Sequence, residues 1–153
     1  MRLFRLYTGA DQQSHVEELK MEFTPGQIAE QTALQPASGV MFTRMAPGAF
    51  VDWHNAPRRQ YVITLAGGVE IGLGDGSTHQ FGPGEVILAE DLTGKGHTTR
   101  AIGDQARLMM IVPLKDIWPG RDTLIGQHAG IPKSPRPWRV MSRFARHRRV
   151  PIL

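Results

Sequence analysis

Residues 48–67 read GAFVDWHNAPRRQYVITLAG and carry the most informative pattern of the chain. Within them, Gly48, His54, Gln60 and Gly67 follow one another at intervals of six, six and seven residues. Gly48 and Gly67 are the two ends of the stretch, and Gly68 follows it. These glycines favour turns, because glycine accepts backbone conformations that other residues avoid. The stretch therefore predicts two short strands that bring a histidine and a glutamine toward one site.

Short strand-like segments separated by turn residues also lie before and after this stretch. Turn signals such as Gly74-Asp75-Gly76 and Gly82-Pro83-Gly84 separate short apolar runs at regular spacing. Residues 14–23 fit either a short helix or a strand. Many short strands joined by turns are typical of a β-sandwich or jelly-roll barrel, which we expect to end near Lys115. The predicted strands comprise residues 2–8, 40–45, 50–54, 60–65, 69–73, 77–81, 85–89, 97–102 and 106–113.

Composition limits the class of protein. A chain of 153 residues fits one domain with its own core, and 17 Gly with 11 Pro suit a fold rich in turns. The absence of Cys excludes disulfides and thiolate metal sites and favours a cytoplasmic location. No apolar run approaches the roughly 18 residues that a membrane span requires, so we expect no membrane partner.

Charge is distributed unevenly. Seven of the 18 basic residues and none of the 14 acidic residues lie from Lys133 onward, so residues 1–132 carry a net charge of −3. Clustered Arg attracts phosphate, but no DNA-reading motif accompanies it. From the sequence, we interpret residues 116–153, which include Trp118 and Trp138, as a Pro- and Arg-rich extension that wraps the barrel, joins a subunit contact or is partly disordered. A nucleic-acid partner is not expected.

The spacing resembles the first signature of the cupins: Gly, five residues, His-x-His, three or four residues, Glu, six residues, Gly. Ala56 stands in place of the second His, and Gln60 in place of the Glu. The second cupin signature is matched by the turn within residues 81–86 and by Gly94-Lys95-Gly96-His97. The resemblance covers roughly residues 39–113. It implies an all-β double-stranded β-helix, or jelly-roll barrel, over residues 1–115, and a homodimer.

The resemblance also implies a site. Cupins that bind metal hold Fe, Mn, Ni, Zn or Cu with the positions that His54, Gln60 and His97 match here. This set is smaller and less charged than the full one, so any divalent metal would be weakly held. Alternatively, His54 and His97 act without metal as catalytic acid and base, because histidine exchanges protons near neutral pH.

Four further side chains are candidates for binding a small-molecule substrate: Asp52, Arg58, Tyr61 and Lys95. Asp52 and Arg58 share strand parity with His54 and Gln60, and an Arg fork pairs readily with a carboxylate or phosphate. Lys95 belongs to residues 90–96, a loop before His97 with two acids, a Thr and two Gly.

Two classes of function remain open for the sequence. One is a small-molecule enzyme of the isomerase, lyase or oxygenase type, with or without metal. The other is a ligand-binding or sensing module without catalysis.

Overall fold

The structure is a computed structural model that describes residues 1–115, so the predicted extension 116–153, with Trp118 and Trp138, lies outside the described residues. Residues 1–115 form ten β-strands and no helix. No segment there has the helical length and apolar character needed to cross a membrane. The strands are β1 (Leu3–Thr8), β2 (Ser14–Leu19), β3 (Met41–Met45), β4 (Phe50–His54), β5 (Gln60–Ala66), β6 (Gly68–Gly72), β7 (Thr78–Phe81), β8 (Val86–Glu90), β9 (His97–Ile102) and β10 (Arg107–Pro113).

Two sheets make up the fold. The larger has the order β2-β1-β8-β5-β10-β3 and the smaller the order β4-β9-β6-β7. All pairs are antiparallel except β1 with β8, which runs parallel. The all-β jelly roll predicted from the sequence is therefore confirmed, and each predicted strand is present within one residue at either end.

The first six residues of the ambiguous segment 14–23 form a strand. Ser14–Leu19 pairs antiparallel with β1, with Leu6 opposite Val16. A short amphipathic segment has little helical stability of its own, so pairing with a neighbouring strand decides its conformation.

The hydrophobic core lies between the sheets at the β1, β6 and β7 side of the fold. Its buried members are Phe4, Leu6, Val69, Ile71, Leu73, Phe81 and Ile87. The rings of Phe4 and Phe81 meet edge to face with centroids 5.0 Å apart, a favoured aromatic geometry. This packing holds the two sheets together beside the cavity described next.

Candidate functional site

A cavity of about 140 Å³ lies between the two sheets. Ten of its 14 lining residues are apolar, so the cavity suits a small molecule with an apolar body. Its four polar lining residues are Gln60, His97, Thr99 and Arg107. Strand alternation produces this set, since Gln60 and Val62 on β5, His97 and Thr99 on β9, and Arg107 and Met109 on β10 are each two apart.

His97 is the best-supported reactive group in the cavity. Its Nδ1 lies 2.6 Å from Oδ2 of Asp91, and the Ser14 hydroxyl donates to the same oxygen at 2.8 Å. Because a carboxylate oxygen only accepts hydrogen bonds, Nδ1 of His97 carries the proton. Its Nε2 is thereby left to exchange a proton with a bound molecule.

Asp91 was not singled out by the sequence, although the acidic loop before His97 was. The residue directly follows β8, its exposure is 0%, and its backbone carbonyl accepts a hydrogen bond from the amide of Ala56 at 3.2 Å. Its Oδ1 has no hydrogen-bond partner among the described residues. Burying a carboxylate this completely costs free energy unless partners stabilise it. His97 and Ser14 are the partners of Asp91, which therefore lies behind the imidazole of His97.

His54 lies beside His97 at the edge of the cavity. The two residues are opposite each other in the β4–β9 pair, and their ring centroids are 4.3 Å apart. Nδ1 of His54 donates to the backbone carbonyl of Asp52 at 2.6 Å. His54 is half-buried and does not belong to the cavity lining.

Gln60 enters from the other sheet. The sequence alone suggests that the strand of Gln60 pairs with the strand of His54, but β4 pairs with β9, and Gln60 begins β5 in the larger sheet. The reason is that β4 and β5, although consecutive, belong to different sheets, a long-range arrangement that local spacing does not reveal. Gln60 is nevertheless buried, at 7% exposure, and lines the cavity together with Ala56.

A metal centre in this cavity would depend on the three motif side chains. His54, Gln60 and His97 offer two imidazole nitrogens and one amide oxygen, none of them anionic. Oδ2 of the nearby Asp91 is bonded to His97 and Ser14, and its buried Oδ1 has no hydrogen-bond partner among the described residues. Ala56, which stands at the second His position of the signature that the sequence resembles, lines the cavity and offers no ligand atom. Within residues 1–115 no three His, Asp or Glu side chains are grouped to hold a metal ion. These residues do not fit a tightly held divalent metal.

The four predicted substrate-binding residues lie outside the cavity lining. Asp52 and Arg58 are exposed, and Asp52 accepts a hydrogen bond from the backbone amide of Trp53 at 2.8 Å. The Nζ atom of Lys95 lies 4.4 Å from the centroid of the Trp53 ring and 3.4 Å from the carbonyl oxygen of Gly74. Tyr61 is half-buried on the opposite face of β5 from Gln60, and this burial raises its pKa.

Arg59 rather than Arg58 has a defined partner. Its guanidinium donates to Oε1 of Glu90, while Arg5 donates to Oε2 at 2.6 Å. Glu90 thus links β1, β8 and the segment before β5. Arg59 is therefore part of the framework around the site.

Arg107 is a cavity residue that the sequence did not indicate. It begins β10 with 3% exposure, and burial lowers its pKa to about 10, so it stays charged at neutral pH. The only local signal was a charged residue at the start of a run of apolar ones.

Comparison with known proteins gives a likeness of fold. No protein-family model matches the sequence, and no curated protein sequence matches it. Among solved structures, a cupin domain from Bordetella pertussis Tohama I is 20% identical, with 50% of this chain and 79% of that chain covered and a TM-score of 0.41. The Cnp3 cupin domain of Schizosaccharomyces pombe is 14% identical, with 75% and 83% covered and a TM-score of 0.42.

A third structure, the polyketide cyclase RemF from Streptomyces resistomycificus, is 21% identical, with 57% of this chain and 61% of that chain covered and a TM-score of 0.42. Likenesses of this degree assign no reaction and no residue role to this chain. The fold rests on the molecule itself, in which two sheets enclose a cavity and the two motif histidines lie side by side. The chain has an all-β jelly-roll fold of two sheets.

Proposed function

We propose that the protein binds a small molecule in the cavity and that His97 moves a proton on it without a metal ion. The observation that carries this proposal is the buried hydrogen bond between His97 and Asp91 at the cavity wall. Such a carboxylate fixes the imidazole tautomer and stabilises the imidazolium that forms when Nε2 takes up a proton. Asp91 is then a positioning residue, because His97 stands between it and the cavity.

The arrangement suits an isomerase or lyase reaction more than an oxygenase reaction, which needs the metal that the donor set does not favour. Nε2 of His97 would take a proton from a carbon next to a carbonyl group. Returning that proton to another atom gives isomerisation, and passing it to a leaving group gives elimination. The amide of Gln60 can donate to the oxygen on which negative charge develops.

Deuterium exchange tests the reaction class. The full-length protein would be incubated in D2O with small 2-oxo and 3-oxo carboxylates, and deuterium on carbon would be measured by mass spectrometry. We expect exchange that falls by about 10²-fold or more in His97→Gln, since general-base catalysis contributes about 10²–10⁴-fold. His79→Gln, the same change at a histidine of β7 outside the cavity lining, is the matched control.

Nuclear magnetic resonance tests the dyad without any substrate. We expect a low-field Nδ1–H proton signal from His97 that disappears in Asp91→Asn while the fold is kept. A signal that persists in Asp91→Asn, or full exchange activity in His97→Gln, would contradict the proposal.

A binding module without catalysis is the second candidate, and the apolar character of ten of the 14 lining residues favours it. Saturable binding of a small molecule with no solvent exchange in any His97-dependent assay would support this candidate. Measuring the metal content of the purified protein distinguishes a metal-dependent function from the two metal-free candidates. Stoichiometric Fe, Mn, Ni, Zn or Cu that disappears in both His54→Ala and His97→Ala would overturn the metal-free proposal.

We further propose that the protein is a cytoplasmic homodimer. β3 pairs only with β10 among the described strands, which leaves its other edge open, and Phe42 on β3 is 65% exposed. Exposed edges with apolar side chains favour association with another copy. Light scattering should give twice the chain mass, and Phe42→Glu should give the monomer.

A further inference from the structure

Arg107 is a buried cation that faces the cavity and has no counter-ion among the described residues. Its exposure is 3%, its Nη2 donates to the Thr64 hydroxyl over 3.4 Å, and no group within residues 1–115 accepts a hydrogen bond from its Nε. Among residues 1–115, no carboxylate lies within ion-pair distance of its guanidinium. By contrast, Arg2, Arg5 and Arg59 each pair with a glutamate.

Such a group is costly unless something compensates it. Burying an unpaired charge is strongly unfavourable, and a guanidinium with unused donors in a cavity is suited to accept a planar anion through two parallel hydrogen bonds. We infer that the bound molecule carries a carboxylate and that Arg107 binds it inside the cavity. This inference rests on the proposed function, because it takes the same cavity as the binding site.

The other cavity residues indicate the charge and length of the bound molecule. One cation matches the single charge of a carboxylate, whereas a phosphate dianion calls for more donors. Thr64, the partner of Arg107, is four residues from Gln60 along β5, a distance of about 13 Å. The carboxylate at Arg107 would therefore place the other end of an elongated molecule near Gln60 and His97.

Size agrees with this orientation. A cavity of about 140 Å³ holds about ten water-sized groups, since each needs about 10–15 Å³ of such volume. Octanoate has a matching number of heavy atoms and an apolar chain, and octanamide is its neutral counterpart of the same shape. The pair therefore isolates the contribution of the negative charge.

Calorimetric titration of the full-length protein tests the inference. Octanoate should bind at least about tenfold more tightly than octanamide, because hydrogen bonds between ionised groups are roughly twice as strong as neutral ones. In Arg107→Met, octanoate should lose that advantage while octanamide binds as before, which shows that the cavity is intact. Arg107→Lys keeps the charge without the fork and should retain part of the preference.

Several results would overturn it. These are equal affinity for octanoate and octanamide, no binding of either, unchanged octanoate binding in Arg107→Met, or inorganic phosphate binding as tightly as octanoate. The proposed function fails separately. If octanoate binding depends on Arg107 and persists in His97→Gln while no His97-dependent exchange occurs, the carboxylate site stands and the catalysis does not.

Discussion

At the scale of single residues, two charged side chains lie inside the barrel with different sets of partners. Asp91 is bonded to His97 and Ser14. Arg107 has only the Thr64 hydroxyl among the described residues. The first arrangement holds an imidazole in one tautomer, while the second keeps a cation available to a ligand at the expense of stability.

Replacing Arg107 should therefore stabilise the free protein. Burial lowers its pKa to about 10, a decrease that corresponds to about 3 kcal/mol at about 1.4 kcal/mol per unit. Because a buried cation with a lowered pKa destabilises the fold wherever it is charged, this penalty persists at all pH values below about 10. Arg107→Met should raise the free energy of unfolding by about 1–3 kcal/mol at neutral pH.

Urea unfolding measures this difference, with Arg44→Met as the control, since Arg44 is exposed on β3. The control should change stability by less than about 0.5 kcal/mol. A less stable Arg107→Met protein would show that Arg107 contributes to the fold rather than to ligand binding.

At the scale of elements, the turn before β9 positions His97. Gly96 has a φ of +76°, and a Cβ atom there would collide with the backbone carbonyl of His54. Glycine at this point lets the ends of β4 and β9 approach closely enough for the two imidazoles to meet.

Gly96→Ala should therefore lower the free energy of unfolding by more than backbone strain alone would. We expect a loss of about 2–4 kcal/mol in the free energy of unfolding, from backbone strain together with the collision. Gly103→Ala is the matched control, because Gly103 has a φ of +84° and open space around it, so only about 1 kcal/mol of strain is expected. Equal losses in the two variants would contradict a close-packing role for Gly96.

Glu90 joins several elements and should give the fold an acid-sensitive contact. Burial raises its pKa, but hydrogen bonds from Arg59 and Arg5 outweigh this and hold the pKa below its usual 4.5. Since the folded-state pKa is the lower one, the carboxylate stabilises the fold above about pH 4.5, and this contribution is lost as pH falls through the folded-state pKa.

Melting temperatures between about pH 7 and pH 3 test this contact. The wild-type protein should melt at a higher temperature than Glu90→Gln at neutral pH, and the difference in melting temperature should shrink below about pH 4.5. Glu22→Gln, at an exposed position, should show no such trend. A difference that stays constant over the whole range would mean that the ionised carboxylate does not act through these arginines.

At the scale of the whole molecule, we propose that residues 1–115 fold as a domain without the extension. The end of the described part is closed by hydrogen bonds, from the amide of Leu114 to the carbonyl of Arg59 and from Lys115 to Pro36, both 3.0 Å. A protein ending at Lys115 should unfold cooperatively and keep the octanoate preference. Loss of either property, measured by circular dichroism and calorimetry, would show that residues 116–153 complete the fold or the site.

The sequence by itself determined nine of the ten strands and the pair of histidines. Turn glycines such as Gly67 and Gly84 adopt the positive φ that their positions require. Backbone preferences of this kind depend on residues that are adjacent in the sequence, so the sequence alone can predict them. The spacing that ends at His97 also identified the histidine that lines the cavity.

Only the tertiary structure decided which polar groups share the cavity. Gln60 reaches it from the opposite sheet, Asp91 becomes buried behind His97, and Arg107 enters at the start of β10. Asp52, Arg58, Tyr61 and Lys95 looked equally suitable in the sequence but lie outside the lining. The physical reason is that sheet order and strand pairing depend on contacts far apart in the chain, whereas spacing reports only what is near.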